Sequence, residues 1–146
     1  MLRDPALIPL SHQHHNGLVL CVMMRRSLGA DSSAENVARQ ARRAIDRYEI
    51  ELVNHFEIEE QVLFPACGVA GLVAELVADH RAIEALIAQL REAAGVALLE
   101  QFCALLTAHI RREESELFER AQREISRDVL DGLGAEIDRR AVRVCL

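Results

Sequence analysis

The chain has 146 residues, about half apolar and a quarter charged, which suits one folded domain with a real core. Its net charge of −6 argues against a nucleic-acid partner. No apolar run reaches the length of a membrane span, and the first residues do not read as a signal peptide. Trp is absent, Tyr occurs once, and only three prolines and seven glycines interrupt the chain. Good helix formers dominate and nothing alternates with the period of a strand.

The spacing predicts a first helix over about Leu10–Leu28, begun by Pro9 and Ser11 and ended by Gly29. Its apolar stripe is read through Leu18, Cys21 or Val22, and Arg25 or Leu28. Ser32-Ser33-Ala34-Glu35 predicts a capping box for a long second helix, about Ser33–Leu63, stopped by Pro65 and Gly68. Its inward stripe passes through Ile45, Tyr48, Leu52, His55, Glu59 and Val62. A third helix, about Leu72–Ala94, carries Leu76, His80, Ile83, Glu84 and Ile87 on one face. A fourth, about Val96–Ala121, carries Leu98, Phe102, Leu105, His109, Glu113 and Leu117. A shorter helix, about Val129–Arg140, presents Leu130, Leu133 and Ile137 and covers an end or side of the bundle, or serves a dimer contact. The expected architecture is all-α, an up-down-up-down four-helix bundle over about residues 10–121 with an extra C-terminal helical segment over about 122–146, in one domain.

Polar residues interrupt these stripes in a pattern. His55 and Glu59, His80 and Glu84, and His109 and Glu113 are each four residues apart, so each pair shares a helix face. The first helix adds His12, His14 and His15. Helices that turn imidazoles and carboxylates toward one axis can hold two transition-metal ions. A buried His–Glu network serving packing alone would leave uncompensated negative charge in the core.

The chain also repeats itself. His55 to Phe64 and His109 to Phe118 both read H-x3-E-E-x2-L-F. Leu10-x3-His14 lines up with Leu76-x3-His80. Two helix pairs related by a pseudo-twofold axis suit two ions, each held chiefly by one half and bridged by a carboxylate from each. The alignment selects His14 on the first helix, with His12 and His15 as surface or outer residues, and favours Glu113 over Glu114.

With these motifs the chain resembles the bacterial hemerythrin-like, HHE-type domains over about residues 10–125. The resemblance rests on the histidine run, the signature at His55–Pro65, the D-H-R-x-I segment at Asp79–Ile83 and the second signature at His109. It implies a non-haem di-iron centre, oxo- or hydroxo-bridged, that senses, binds or scavenges oxygen, nitric oxide or peroxide. Where oxygen carriers have a second histidine on the third helix, this chain has Glu84. That carboxylate is expected to ligate iron, favour the ferric state and disfavour reversible oxygen carriage. In the carriers an acidic residue five positions after the last histidine is used, which here is Glu114.

The metal ligands read from sequence are thus His14, His55, Glu59, His80, Glu84, His109 and Glu113. Tyr48, two turns before His55, is a candidate partner of the site if the chain is a peroxidase- or catalase-like enzyme. Iron storage, delivery or repair is a further alternative, and zinc a further occupant. The four cysteines form no C-x-x-C, and the chain reads as cytosolic with reduced thiols; Cys21 and Cys103 are expected in the core and Cys67 in an exposed loop. Arg25, Arg26, Arg39, Arg42 and Arg43 read as solvated helix faces.

Overall fold

In a computed structural model, which describes residues 2–144, the chain is helical with no strand among the described residues. A single 3-10 turn, Pro5–Leu7, leads into helix α1, Ile8–Ala30. Helix α2 runs over 34–66 in segments: Ala34–Arg47 and Val53–Ile58 are α-helical, Tyr48–Leu52 and Glu59–Leu63 are π turns, and Phe64–Ala66 is a closing 3-10 turn. Helix α3 is Ala70–Glu92. Helix α4 runs over 96–124, with a third π turn at Glu113–Leu117. Helix α5 is Arg127–Arg140.

The helices form a bundle in which α1 packs on α2 and α4, and α3 packs on α2 and α4. The links at 31–33, 67–69 and 93–95 are only three residues long. Short links join antiparallel neighbours, the arrangement expected of an up-down-up-down order. No described helix is long and apolar enough to cross a membrane. Ser33 caps α2 by accepting from the Asn36 amide at 3.2 Å, one residue later than the capping box read from Ser32.

The second-helix stripe departs from its sequence reading at the first π turn. A π turn holds one residue more than an α turn and so rotates everything before it. Val37, Ala41 and Ala44 are therefore buried, while Ile45 and Tyr48 lie at the edge. On α1, Met24 and Leu28 take the inward face and Val22 and Arg25 are exposed. Cys21 and Cys103 are buried free thiols, as their stripes predict; Cys67 is half-buried and Cys145 lies outside the described residues. The five arginines of the basic runs are exposed.

The core is split into two apolar clusters. One gathers Leu20, Met24, Ala41, Ile87, Leu99 and Phe102. The other gathers Leu7, Leu10, Ile58, Leu63, Leu76 and Phe118. On α1 and α3 the candidate histidine falls between the residues of the two clusters, and on α2 and α4 His55 and His109 sit at the end of the first cluster, with Glu59 and Glu113 one turn further toward the second. The polar residues thus form a layer sealed above and below by apolar side chains.

Helix α5 closes one side by packing on Pro5–Leu7 and on the 59–63 segment. Gly134 lets it approach: a Cβ there would lie 2.7 Å from the Ala6 Cβ and 2.8 Å from its Cα. Gly132, in the same helix, has nothing within 4 Å. Gly134→Ala is expected to destabilise by roughly 1–3 kcal/mol, the usual cost of overpacking. Gly132→Ala should instead add up to about 1 kcal/mol through helix propensity. Opposite shifts of the urea midpoint check the contact; equal shifts would show that α5 does not seat there.

Candidate metal centre

Two carboxylates stand at the middle of the polar layer. Glu59 and Glu113 are both 0% exposed. Each opens a π turn, at the same place in the two copies of the repeated motif. His14, His55, His80 and His109 surround them, all at 3% exposure or less.

Each carboxylate is divided between two histidine pairs. Glu59 Oε1 is 2.8 Å from His55 Nε2 and 3.7 Å from His14 Nε2. Its Oε2 is 3.1 Å from His80 Nε2. Glu113 Oε2 is 2.9 Å from His14 Nε2 and 3.9 Å from His55 Nε2. Its Oε1 is 3.0 Å from His109 Nε2 and 3.8 Å from His80 Nε2. Two four-residue sets result, His14–His55–Glu59–Glu113 and His80–His109–Glu59–Glu113, and within each set one donor atom per residue lies within 4.8 Å of the others. Both glutamates belong to both sets.

The chemistry of this donor set fits cations. Glu59 Oε1 and Oε2, Glu113 Oε1, His80 Nε2 and His109 Nε2 are buried without a hydrogen-bond partner, although nitrogen and oxygen approach to about 3 Å. The groups converge on common points instead of aiming at one another. An unpartnered buried carboxylate is costly, and two side by side more so. A positive ion between the donors removes both penalties.

The outward ring nitrogens are all engaged. His14 Nδ1 lies 2.7 Å from Glu114, His80 Nδ1 2.9 Å from Glu60, His109 Nδ1 3.1 Å from Asp79, and His55 Nδ1 2.8 Å from Gln13. Such partners orient the ring, and the three carboxylates also set its tautomer. In each E-E pair the first glutamate enters the centre and the second holds the histidine of a neighbouring helix. Glu113 and Glu114 therefore both touch the site, in different places. Glu114 is fixed in turn by Ser11 at 2.7 Å and Arg3 at 2.6 Å.

These contacts shift the titrations. Burial disfavours a charged imidazole, but hydrogen bonds to Glu113, Glu114 and Glu59 outweigh it and hold His14 well above its ordinary range. His55 is raised for similar reasons, against burial and through Glu59 and Glu113. Burial also opposes His109, which Glu113 lifts to about 9. Burial raises the glutamates, and the surrounding imidazoles overcome it. Glu59 falls well below the carboxylate range, Glu113 falls less because Glu59 repels it, and Glu114 drops to about 2 through His14 and Ser11.

Glu84, read from sequence as a ligand, and Tyr48, a candidate outer partner of the site, stand elsewhere. Glu84 pairs through both oxygens with Arg81, at 2.9 and 3.0 Å. It lines a surface cleft of about 300 Å³ with Tyr48, Phe56 and Glu60, and joins neither donor set. The spacing from His80 was right, but α3 has no π turn. Ile83, 0% exposed, takes the core side, and Phe56 stacks on His80 at 3.9 Å between the cleft and the centre. Tyr48 lies in the same cleft, with Arg91 5.8 Å above its ring, and belongs to neither donor set. His12 and His15 are exposed, as the repeat alignment indicates. Sequence reasoning passed over Gln13, Glu60 and Asp79. Their signal was there: Gln13 and Asp79 each precede an aligned histidine, and Glu60 is the second member of the E-E pair.

Glu84→Ala is expected to leave metal content unchanged, by elemental analysis of reconstituted protein. A loss of one ion per chain would return Glu84 to the ligand set.

Residues 7–121 match the family model described as the Hemerythrin HHE cation binding domain. Comparison with curated proteins gave no match, and neither did comparison with solved structures.

Proposed function

The chain belongs to the hemerythrin HHE cation-binding domain family, and on that premise we propose that it holds two iron ions with which it binds, senses or scavenges a small oxidant. Oxygen, nitric oxide and peroxide are the candidates. The observation that carries this reading is the division of Glu59 and Glu113, one oxygen of each toward His14 and His55 and the other toward His80 and His109. His14, His55, Glu59 and Glu113 would hold one ion, and His80, His109, Glu59 and Glu113 the other.

When bound, an iron pair supplies one-electron redox change at each ion and positions for a small ligand beyond the protein donors. The protein's own contribution is exclusion and orientation. Phe56 and Phe64 flank His80 at 3.9 and 5.7 Å, and Phe118 stacks on His14 at 5.1 Å. All six donor residues are buried. A centre so enclosed favours a small ligand over a large substrate. With Glu84 in the surface cleft, no fifth carboxyl or imidazole donor among the described residues crowds the His80–His109 side.

The test is the metal content and optical spectrum of protein reconstituted with iron. Two ions per chain and near-ultraviolet bands that change on reduction or on adding nitric oxide are expected. One ion or none, or a colourless zinc protein that takes up no iron, would overturn the reading.

A further inference from the structure

The two halves of the centre differ in one outer partner. Asp79 precedes His80 and holds His109; Gln13 precedes His14 and holds His55. Glu60 and Glu114 complete the pattern with carboxylates. A carboxylate only accepts, so it obliges the ring to carry a proton on Nδ1 and makes Nε2, on the side of Glu59 and Glu113, the nitrogen that gives up its proton to an ion. An amide can accept or donate. Gln13 by itself therefore does not decide which nitrogen of His55 is protonated.

The amide is oriented from outside the bundle. Gln13 Nε2 donates to Asn54 Oδ1 at 3.0 Å and to the Val142 carbonyl at 3.2 Å. Asn54 Nδ2 donates to the Arg140 carbonyl at 3.0 Å, and Asn54 Oδ1 accepts from the Val142 amide at 3.0 Å. The backbone groups have fixed polarity: the two carbonyls accept and the amide donates. They allow one orientation of Asn54 and one of Gln13. That orientation turns Gln13 Oε1 to His55 Nδ1 at 2.8 Å. Asn16 adds a bond to the Val144 carbonyl at 3.2 Å, which holds the same segment along α1.

We propose that Arg140, the last residue of α5, and residues 141–144, which follow it as a strap across α1 and α2, position His55 as a ligand by orienting the amides of Asn54 and Gln13. The strap performs from outside what a carboxylate performs for the other three histidines. Gln13 and Asn54 are positioning residues that act through His55. Because coupling is reciprocal, metal at the centre and docking of the strap favour each other. The strap lies beyond the 7–121 span that matches the family model. The proposal rests on the reading of His55 as a ligand.

The experiment uses the full chain with zinc alone as probe, its affinity measured against a competing chelator. Asn54→Ala frees the Arg140 and Val142 contacts and should weaken zinc binding on the order of 10-fold, the lower end for the loss of an outer partner. Gln13→Glu should bind zinc nearly as well as the unmodified chain, because its carboxylate accepts from Nδ1 however the strap lies. The double variant Asn54→Ala, Gln13→Glu should recover that affinity. Hydrogen exchange supplies an independent readout: the Val142 amide should be better protected with zinc than without, and unprotected in Gln13→Glu. Unchanged affinity in Asn54→Ala, a double variant no better than the single one, or zinc-independent protection of Val142 would overturn the proposal. An unmodified chain that bound no zinc would remove the metal reading itself, and the proposal with it.

Discussion

Glu59→Gln is expected to abolish stable loading of both ions, not of one. Glu59 gives Oε1 to the His14–His55 side and Oε2 to the His80 side. An amide keeps the shape but offers a single acceptor, and its nitrogen presents hydrogens to a cation. It also removes one of only two negative charges among the six donors. Metal content should fall from two ions per chain to fewer than one, with the apo fold retained because the amide still fills the sealed layer. Glu113→Gln should do the same, by the pseudo-twofold relation. Elemental analysis alongside a metal-free melt separates the two effects. Two ions retained in Glu59→Gln would show that the carboxylates do not bridge.

Removing the metal should lower the melting temperature, and by more at pH 8 than at pH 5. Without an ion, the charge of Glu59 and Glu113 is balanced by protonated imidazoles. The folded pKa of His109 is raised to about 9 from an ordinary 6.5. A raised group adds stability that is fully present below 6.5 and is lost as the pH climbs through about 9. His14 and His55 shift in the same direction. The carboxylates are depressed, Glu114 to about 2, so their contribution is complete above about 4.5 and constant across this window. The metal-free chain thus loses compensation as pH rises, while the bound ion supplies it at any pH where the imidazoles are neutral. The added loss between pH 5 and 8 is of the order of a few kcal/mol, or roughly 10 °C at about 2–4 °C per kcal/mol. Thermal melts of chelated and loaded protein at both values measure it. A chelation effect equal at the two values would show that protons do not replace the ions.

Helix count, helix ends and the bundle interior were readable because they depend on local chemistry. Gly68 and Gly95 stand in their links, Pro65 just before one of them and Gly29 one residue inside the end of α1, and the 3.6-residue period marks the buried face. Leu76, Ile83 and Ile87 lie where their spacing put them, and so do His80 and His109. The period failed where the helix was not regular. The π turn at Tyr48–Leu52 moved the buried face from Ile45 and Tyr48 to Ala41 and Ala44. No residue in Y-E-I-E-L announces that extra residue, since backbone hydrogen bonds from i to i+5 have no side-chain signature. The repeated H-x3-E-E-x2-L-F did signal a shared geometry, and both copies open a π turn at the first glutamate.

The sequence by itself determined the helical class, the pairing of the halves and the presence of His14, His55, His80, His109, Glu59 and Glu113 on inward faces. Periodicity and an internal repeat express these within a single helix or a pair. Tertiary structure alone decided what a face meets. Glu84 has the same spacing from its histidine as Glu59 and Glu113, yet Arg81 binds it at the surface because Ile83 and Phe56 fill the space it would enter. The outer shell was decided in the same way. Glu60, Asp79, Glu114 and Gln13 each reach a histidine on another helix, and Gln13 is oriented by backbone more than 120 residues away. Spacing along one helix fixes direction around its axis; the neighbour that waits in that direction is set by the packing of the whole chain.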